Sequence, residues 1–402
     1  MSPSYSRSKR AAAAVSLVAA TLAACTPAAT PTAAPVEPTK APAAASDWAK
    51  ATSAEAGGGM DALVAAAKAE GSLTVIALPH DWCNYGGALE GFKAKYGLSI
   101  TELNPDAGSG DELEAIRANK DSGGPQAPDV IDVGVAFGPQ SKDEGLITAY
   151  KVATWDTIQD VPGAKDPDGY FYPDYGGVLV FQVNTDLVTN VPQDWSDLLK
   201  AEYKGQVGLS GDPRSSNQAA QTVYAAALAN GGSLDNIQPG LDYFKQLNDA
   251  GNLLPVIVTS GLFAKGEAPI SFFWNYLSLA QKETLAGNPP VEIVYPKSGA
   301  WGGWYIQAIS AYAPHPAAAR LWQEYLYSDE GQQAWMKGYC VPARLADLRS
   351  RNAAPQDLLD RMPPAGVIEN AVIPSVAQLD AARAAIKDQW DKAVGLDIQA
   401  AP

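Results

Sequence analysis

Apolar residues crowd SLTVIAL (72–78) between Gly71 and Pro79, a run with the length and composition of a buried strand. Before it, MDALVAAAKAEG (60–71) spaces its apolar positions for a helix that stops at Gly71. After it comes the loop LPHDWCNYGG (78–87). Leu89, Phe92 and Tyr96 then recur at helical spacing ahead of Gly97, which predicts a helix over 88–96. LSITEL (98–103) reads as a second strand, DELEAIRANK (111–120) as a helix behind the loop NPDAGSG, and APDVIDVG (127–134) as a third strand. Strand, loop and helix repeated in this order predict a parallel sheet covered by helices on both faces. In such sheets ligands bind beyond the carboxyl ends of the strands. LPHDWCNYGG and Asp132-Val133-Gly134 both fall there.

The alternation restarts later. QVGLSGDPRSSNQAAQTVYAAALANGG (206–232) predicts strand, polar loop, helix and a Gly-Gly stop, and LDYFKQLNDAG (241–251) another helix. APISFFWNY (268–276), VEIVYP and WYIQAISAYAP read as strands, and PAAARLWQEYLYS (316–328) as a helix. FYPDYGGVLVFQVNT (171–185) is an extended segment long enough to cross between two α/β units. No internal repeat is visible.

The N-terminus bears on the compartment. Arg7, Lys9 and Arg10 precede the short apolar run AAAAVSLVAATLAA, the layout of a secretory signal over residues 1–24. Leu22-Ala23-Ala24-Cys25 has the form of a bacterial lipobox, so lipid attachment at Cys25 is expected, with an extracytoplasmic protein anchored to the cell membrane. The Pro/Ala/Thr stretch that follows, taken with the lead-in to the first helix as residues 25–59, cannot bury a core and favours an extended tether. Charge adds an exclusion. The chain carries −15, and loss of the three signal-peptide cations makes it −18. That balance argues against nucleic acid, which needs clustered Lys and Arg.

Several stretches together resemble the extracellular solute-binding proteins of bacterial ATP-driven importers in their type II, two-lobed form. They are EGSLTVIALPHDWCNYGGALEGFKAKYG, APDVIDVG, GDPRSSNQAAQTV, GEAPISFFWNY and PHPAAARLWQEYLYSDEGQQAW. Within that superfamily the chain is most similar to the polyamine, iron(III) and phosphonate binders. The resemblance implies an α/β fold of two lobes, each a central sheet flanked by helices, with residues 60–178 and 308–402 in the first lobe and 179–307 in the second. It implies lobes that close over a small solute like a hinged clamp and a monomeric receptor that docks on a membrane permease. No cofactor is implied, nor any resident metal.

Candidate ligand-binding residues follow from the strand-end loops. Trp82, Asn84 and Tyr85 lie in the first loop, with packing beneath it as the alternative for each. Asp132 ends a buried strand, where a carboxylate needs a partner, as a ligand contact or a helix cap. Arg214, Ser215, Ser216 and Asn217 precede a helix whose exposed amides suit an anion. Trp274 and Tyr276 follow a strong strand. Trp301 and Trp304, spaced by glycines in GAWGGWY, read as a mobile aromatic flap. Tyr172, Asp174 and Tyr175 stand by the first crossover.

These groups disagree about ligand charge. The aromatics with Asp81, Asp132 and Asp174 suit an organic cation, whereas the Arg214 cluster suits a phosphonate or carboxylate. Asn275 stands where polyamine binders usually carry an acid, and the chain lacks the adjacent tyrosines usual in iron binders. A polyamine or related organic cation leads, with iron(III) or an organic anion as alternatives within the same fold.

His80 and Cys83 raise a reading of another class, a secreted thiol-dependent hydrolase. No further nucleophile motif supports it, and two histidines without a CxxC pair do not compose a zinc site. In an oxidising exterior Cys83 and Cys340 are a candidate disulfide, with free buried thiols as the alternative.

Overall fold

The computed structural model describes residues 47–400 apart from positions 106, 121, 162, 365 and 369. The signal-like start, Cys25 and the tether as far as residue 46 lie outside the described residues. The tether expected over 25–59 stops sooner than the composition suggests. Trp48, Ala51 and Ala54 are buried, and the buried Arg320 guanidinium donates to the carbonyls of Ala51 (2.8 Å) and Ala49 (3.1 Å). An indole offers too much apolar surface to be left in a solvated spacer.

The first strands, β1 (Ser72–Ile76) and β2 (Ser99–Leu103), pair in parallel. The helix between them begins at Tyr85, ahead of the predicted start at Ala88. The remaining strands are β3 (Val130–Gly134), β4 (Ile147–Thr148), β5 (Tyr172–Asn184), β6 (Val207–Leu209), β7 (Leu253–Ile257), β8 (Ile270–Trp274), β9 (Val291–Val294), β10 (Gly302–Ser310) and β11 (Val341–Pro342). Here the wholly parallel expectation fails. β10 runs antiparallel to β3, β4 and β5, and β5 runs antiparallel to β8, β9 and β11, while β6 is parallel to β7 and β8.

The mixed pattern has a topological cause. β5, fully buried along its length, changes partners between Val178 and Leu179. Its first half pairs with β10 and β11, its second half with β8 and β9. β10 returns beside it in the opposite direction, from Gly302 opposite Val178 to Tyr305 opposite Gly134 on β3. Two crossovers side by side must be antiparallel, and each carries one body of sheet and helices into the other. Glycines at these crossovers make room for rings: a Cβ at Gly176 would stand 2.7 Å from the Trp304 indole, and one at Gly177 would stand 2.6 Å from the Tyr276 ring.

The C-terminal region departs from the expected partition. The helix Val376–Ala393 packs on the helices Asn217–Ala229 and Gln238–Asp249 of the second lobe. Trp390 is buried 5.8 Å from the Phe244 ring, and Gln399 bridges to Val256 on β7. The end of the segment assigned to the first lobe, 308–402, therefore belongs with the second. Among the described residues no helix is long and apolar enough to cross a membrane.

Candidate functional site

A cleft of about 360 Å³ opens where the crossovers meet the carboxyl ends of β3 and β8. One wall is the end of β3 and the turn behind it, Gly134 to Phe137, with Ser109 at the start of the helix Ser109–Asn119. The facing wall holds Ser216, Gln218 and Gln221 at the start of a second-lobe helix, with Trp274 at the end of β8. Gly302 to Tyr305 of β10 form the floor, and Trp82 closes one side. Strand ends and helix starts gather here because both lobes direct their connecting loops toward the crossover.

Five aromatic residues line the cleft: Trp82, Phe137, Trp274, Trp304 and Tyr305. Trp82, Trp274 and Tyr305 are held by other rings. Trp274 lies parallel to Tyr276 with centroids 6.4 Å apart, and Tyr276 meets Trp82 edge-on at 5.3 Å. Tyr305 stacks on Tyr175 at 5.3 Å and meets Trp82 at 5.7 Å. A hydrogen-bond chain runs inward from this cluster. The Trp82 indole N–H donates to the Tyr175 hydroxyl (2.8 Å), which donates to Asp132 Oδ2 (2.7 Å). Gln307 Nε2 donates to the Tyr85 hydroxyl (2.8 Å) and to Asp132 Oδ1 (3.2 Å).

Behind Trp82 and Tyr305 lies a second cavity of about 280 Å³, which shares Ser109 with the cleft and is lined by the carboxylates of Glu112 and Asp132. Both are buried. Burial raises Asp132 to about 7, against hydrogen bonds from Tyr175, Tyr85 and Gln307 that favour its ionised form. Glu112 is pushed well above the usual carboxylate range by burial first and then by the Asp132 charge, although it accepts the Asp132 amide at 2.9 Å. Two desolvated carboxylates beside aromatic faces form a place that gains from an incoming positive charge.

Among the expected site residues, Trp82, Trp274, Trp304 and Ser216 line the cleft, and Asp132 lines the adjoining cavity. Asp132 is not a helix cap; it lies within β3 and takes side-chain donors. Tyr175 and Tyr276 are buried one layer behind the lining and support Trp82 and Trp274. Asp174, also buried, is spent on the Trp335 indole N–H (2.8 Å). Ser216 also caps its helix, accepting from the Ala219 amide.

Other expectations are corrected. Asn84 adopts a left-handed backbone at φ 63°, which asparagine tolerates, and its Nδ2 donates to the Ala334 carbonyl (3.1 Å) instead of facing solute. Tyr85 turns into the core, edge-on to Trp335 at 4.8 Å. Arg214 is held by Asp212, Asp391 (2.7 Å) and Asp397 (2.5 Å), so it clamps the C-terminal segment and offers no open anion site. Ser215 is exposed and lines a separate surface depression with Lys387. Trp301 is not a flap: it is buried, donates to Gln221 Oε1 (2.8 Å) and lies 4.7 Å from the Tyr224 ring. Trp304 is fixed as a residue of β10.

Cys83 and Cys340 are joined in a disulfide with Cα atoms 5.5 Å apart, which leaves no thiol there for a nucleophile. His80 instead pairs at the surface with Glu102 (2.7 Å). Among the described residues no group of three or more His, Cys, Asp or Glu side chains is placed to hold a metal ion.

Sequence reasoning passed over Glu112, Tyr305, Gln218, Gln221 and the C-terminal residues Ile373, Pro374, Leu379, Asp380 and Arg383, all of which line the cleft or its side cavity. Glu112 gave one signal: it falls on the same side of its helix as Leu113 and Ile116, both buried.

A cleft lined from two lobes, with the crossover strand β10 at its floor, defines a two-lobed solute-binding protein. The chain belongs to the bacterial extracellular solute-binding protein family, whose model matches residues 126–364. It is 24% identical over 236 residues to the spermidine/putrescine-binding periplasmic protein of Escherichia coli K12, an alignment covering 55% of this chain and 63% of that protein. The chain thus spans under two thirds of the length of that relative. Among solved structures it is similar to the periplasmic binding protein AfuA from Actinobacillus pleuropneumoniae with exogenous fructose-6-phosphate bound, at 24% identity and a TM-score of 0.58, covering 81% of this chain and 98% of that one. It is likewise similar to iron-bound HitA from Pseudomonas aeruginosa, at 19% identity and a TM-score of 0.58, covering 81% and 99%. These likenesses give the type II periplasmic-binding-protein fold. The ligands of these proteins differ from one another, so the fold does not select the solute.

Proposed function

We propose that the protein is the receptor of an ATP-driven importer that captures a small organic cation, a polyamine or related amine, between its lobes and delivers it to a membrane permease. One observation carries the choice of charge: the cleft adjoins a cavity lined by the buried carboxylates of Glu112 and Asp132, walled by Trp82 and Tyr305. A cationic amine there would meet ring faces and relieve two desolvated acids. The engagement of Arg214 by three aspartates weighs against an anion held by that cluster. Closure would turn on β5 and β10, the strands that run between lobes. On this reading the N-terminal segment is a signal, and lipid on Cys25 keeps the receptor at the membrane; Cys25→Ser would then release it from the membrane fraction.

The test is a thermal-shift panel on the protein with putrescine, spermidine, a monoamine, fructose 6-phosphate, phosphonates and iron(III). A ligand at about 100 times its dissociation constant adds roughly 2.7 kcal/mol, a clear rise in Tm. A rise with amines supports the proposal. A rise with phosphate esters or phosphonates alone would replace it with the anion reading.

A further inference from the structure

We infer that the C-terminal segment Val372–Arg383 is the outer wall of the ligand site, and that Asp380 on it contacts a second cationic centre of the ligand. The inference rests on the organic-cation reading and narrows it to amines with positive charge at both ends. The family match ends at residue 364, so this wall comes from chain beyond the matched region.

Its placement is built in at both ends. Val372 bridges to Trp301; its amide donates to the Ala300 carbonyl (3.1 Å), and its carbonyl accepts from the Gly302 amide (3.4 Å). Contact is so close that a Cβ at Gly302 would stand 2.5 Å from the Ala371 Cβ. Ile373 and Pro374 then enter the cleft, and Ser375 with Gln378 forms a capping box that starts the helix at the cleft edge. Leu379, Asp380 and Arg383 face the cleft from one side of that helix. The far end is fastened to the second lobe by Trp390, by Asn248 Nδ2 donating to the Val394 carbonyl (2.8 Å), and by the Arg214 clamp on Asp391 and Asp397. The wall must therefore travel with the second lobe.

Two observations single out Asp380. It lines the cleft but not the acidic side cavity, so it offers negative charge away from Glu112 and Asp132. Among the described residues its carboxylate has no hydrogen bond or ion pair, whereas Arg383 on the same side is engaged. A ligand with one ammonium group in the Glu112–Asp132 cavity and its chain along Trp82, Trp304 and Trp274 would present its other end to this wall.

The experiment is calorimetric binding of putrescine and of butylamine to the full chain, to Asp380→Asn, and to Asp388→Asn. Asp388 is an exposed acid on the same helix, paired with Lys392 at 3.6 Å. The wild-type chain should prefer the diamine. Asp380→Asn should weaken putrescine about fivefold while leaving butylamine and the unliganded Tm unchanged, and Asp388→Asn should change neither ligand. Putrescine binding that survives Asp380→Asn intact overturns the inference and leaves the organic-cation reading standing. Equal weakening of both amines, or the same loss in Asp388→Asn, overturns it in favour of a general field effect. Failure of both amines to bind the wild-type chain removes the cation reading and the inference with it.

Discussion

The indole N–H of Trp82 stands 2.8 Å from the Tyr175 hydroxyl, which makes a cleft aromatic the outer end of a chain rooted in the buried Asp132 carboxylate. The orientation of a cleft-lining ring is thereby tied to the charge of a group one layer inside. A ring positioned in this way adds contact area with little rotamer freedom left to lose on binding.

Tyr175→Phe tests that chain. It keeps the stack on Tyr305 but removes the hydroxyl, leaving the Trp82 N–H and one Asp132 oxygen without their partner. Stability should fall by about 1–3 kcal/mol, measured by urea unfolding, with weaker amine binding as Trp82 loses its orientation. Unchanged stability and affinity would show that the chain does not position the ring.

The pH dependence has a definite sign. Asp132 is raised from its ordinary 3.8 to about 7, chiefly by burial. Between those values the folded chain keeps a proton that the unfolded chain has released, so unliganded stability should fall as pH rises from about 4 to about 7. The slope from this group is at most about 1.4 kcal/mol per pH unit. Glu112, raised in the same direction, contributes with the same sign. Cation binding should behave oppositely and tighten from pH 5.5 to 8 as these groups ionise. Asp132→Asn should flatten both profiles, as followed by thermal unfolding and calorimetry across that range.

Arg214→Met separates clamp from ligand contact. Its aspartate partners at positions 391 and 397 are more than half exposed, so the change should cost about 1 kcal/mol and loosen the C-terminal segment to proteolysis. Putrescine affinity should fall by no more than the roughly fivefold expected of Asp380→Asn, because Arg214 reaches the ligand only through the segment that carries Asp380, and butylamine affinity should be unchanged. A collapse of binding to a phosphate ester instead would restore the anion site expected from the sequence.

The Cys83–Cys340 bridge closes a span of 257 residues and fixes the loop that carries Trp82. Cys340→Ser should destabilise the chain by roughly 2–5 kcal/mol. Reductant should lower the Tm of the wild-type protein and leave that of the variant unchanged. Equal Tm values with and without reductant would show the bridge to be dispensable.

Local pattern determined a good deal about this protein. Alternation of strand, loop and helix marked two α/β bodies, and 171–185 was legible as a crossover because a long apolar run with β-formers has no other economical place. The loop carrying Trp82 and the strand end carrying Trp274 were legible as cleft elements because strand termini collect at a topological switch. Spacing along the chain cannot report which partner a side chain meets across the fold, and there tertiary structure decided. Arg214 and Ser216 are near neighbours in sequence, yet aspartates at 391 and 397 claim the first while the cleft receives the second. Trp301 and Trp304 share a motif, but Gln221 and Tyr224 draw one into the second lobe while the other lines the cleft. Glu112 became part of the site only when the turn of its helix put a carboxylate beside Asp132. The outer wall came from Ile373 to Arg383, because Val372 docks on β10 and directs the chain across the opening. Periodicity fixes which face of an element is buried; long-range pairing fixes what that face is buried against.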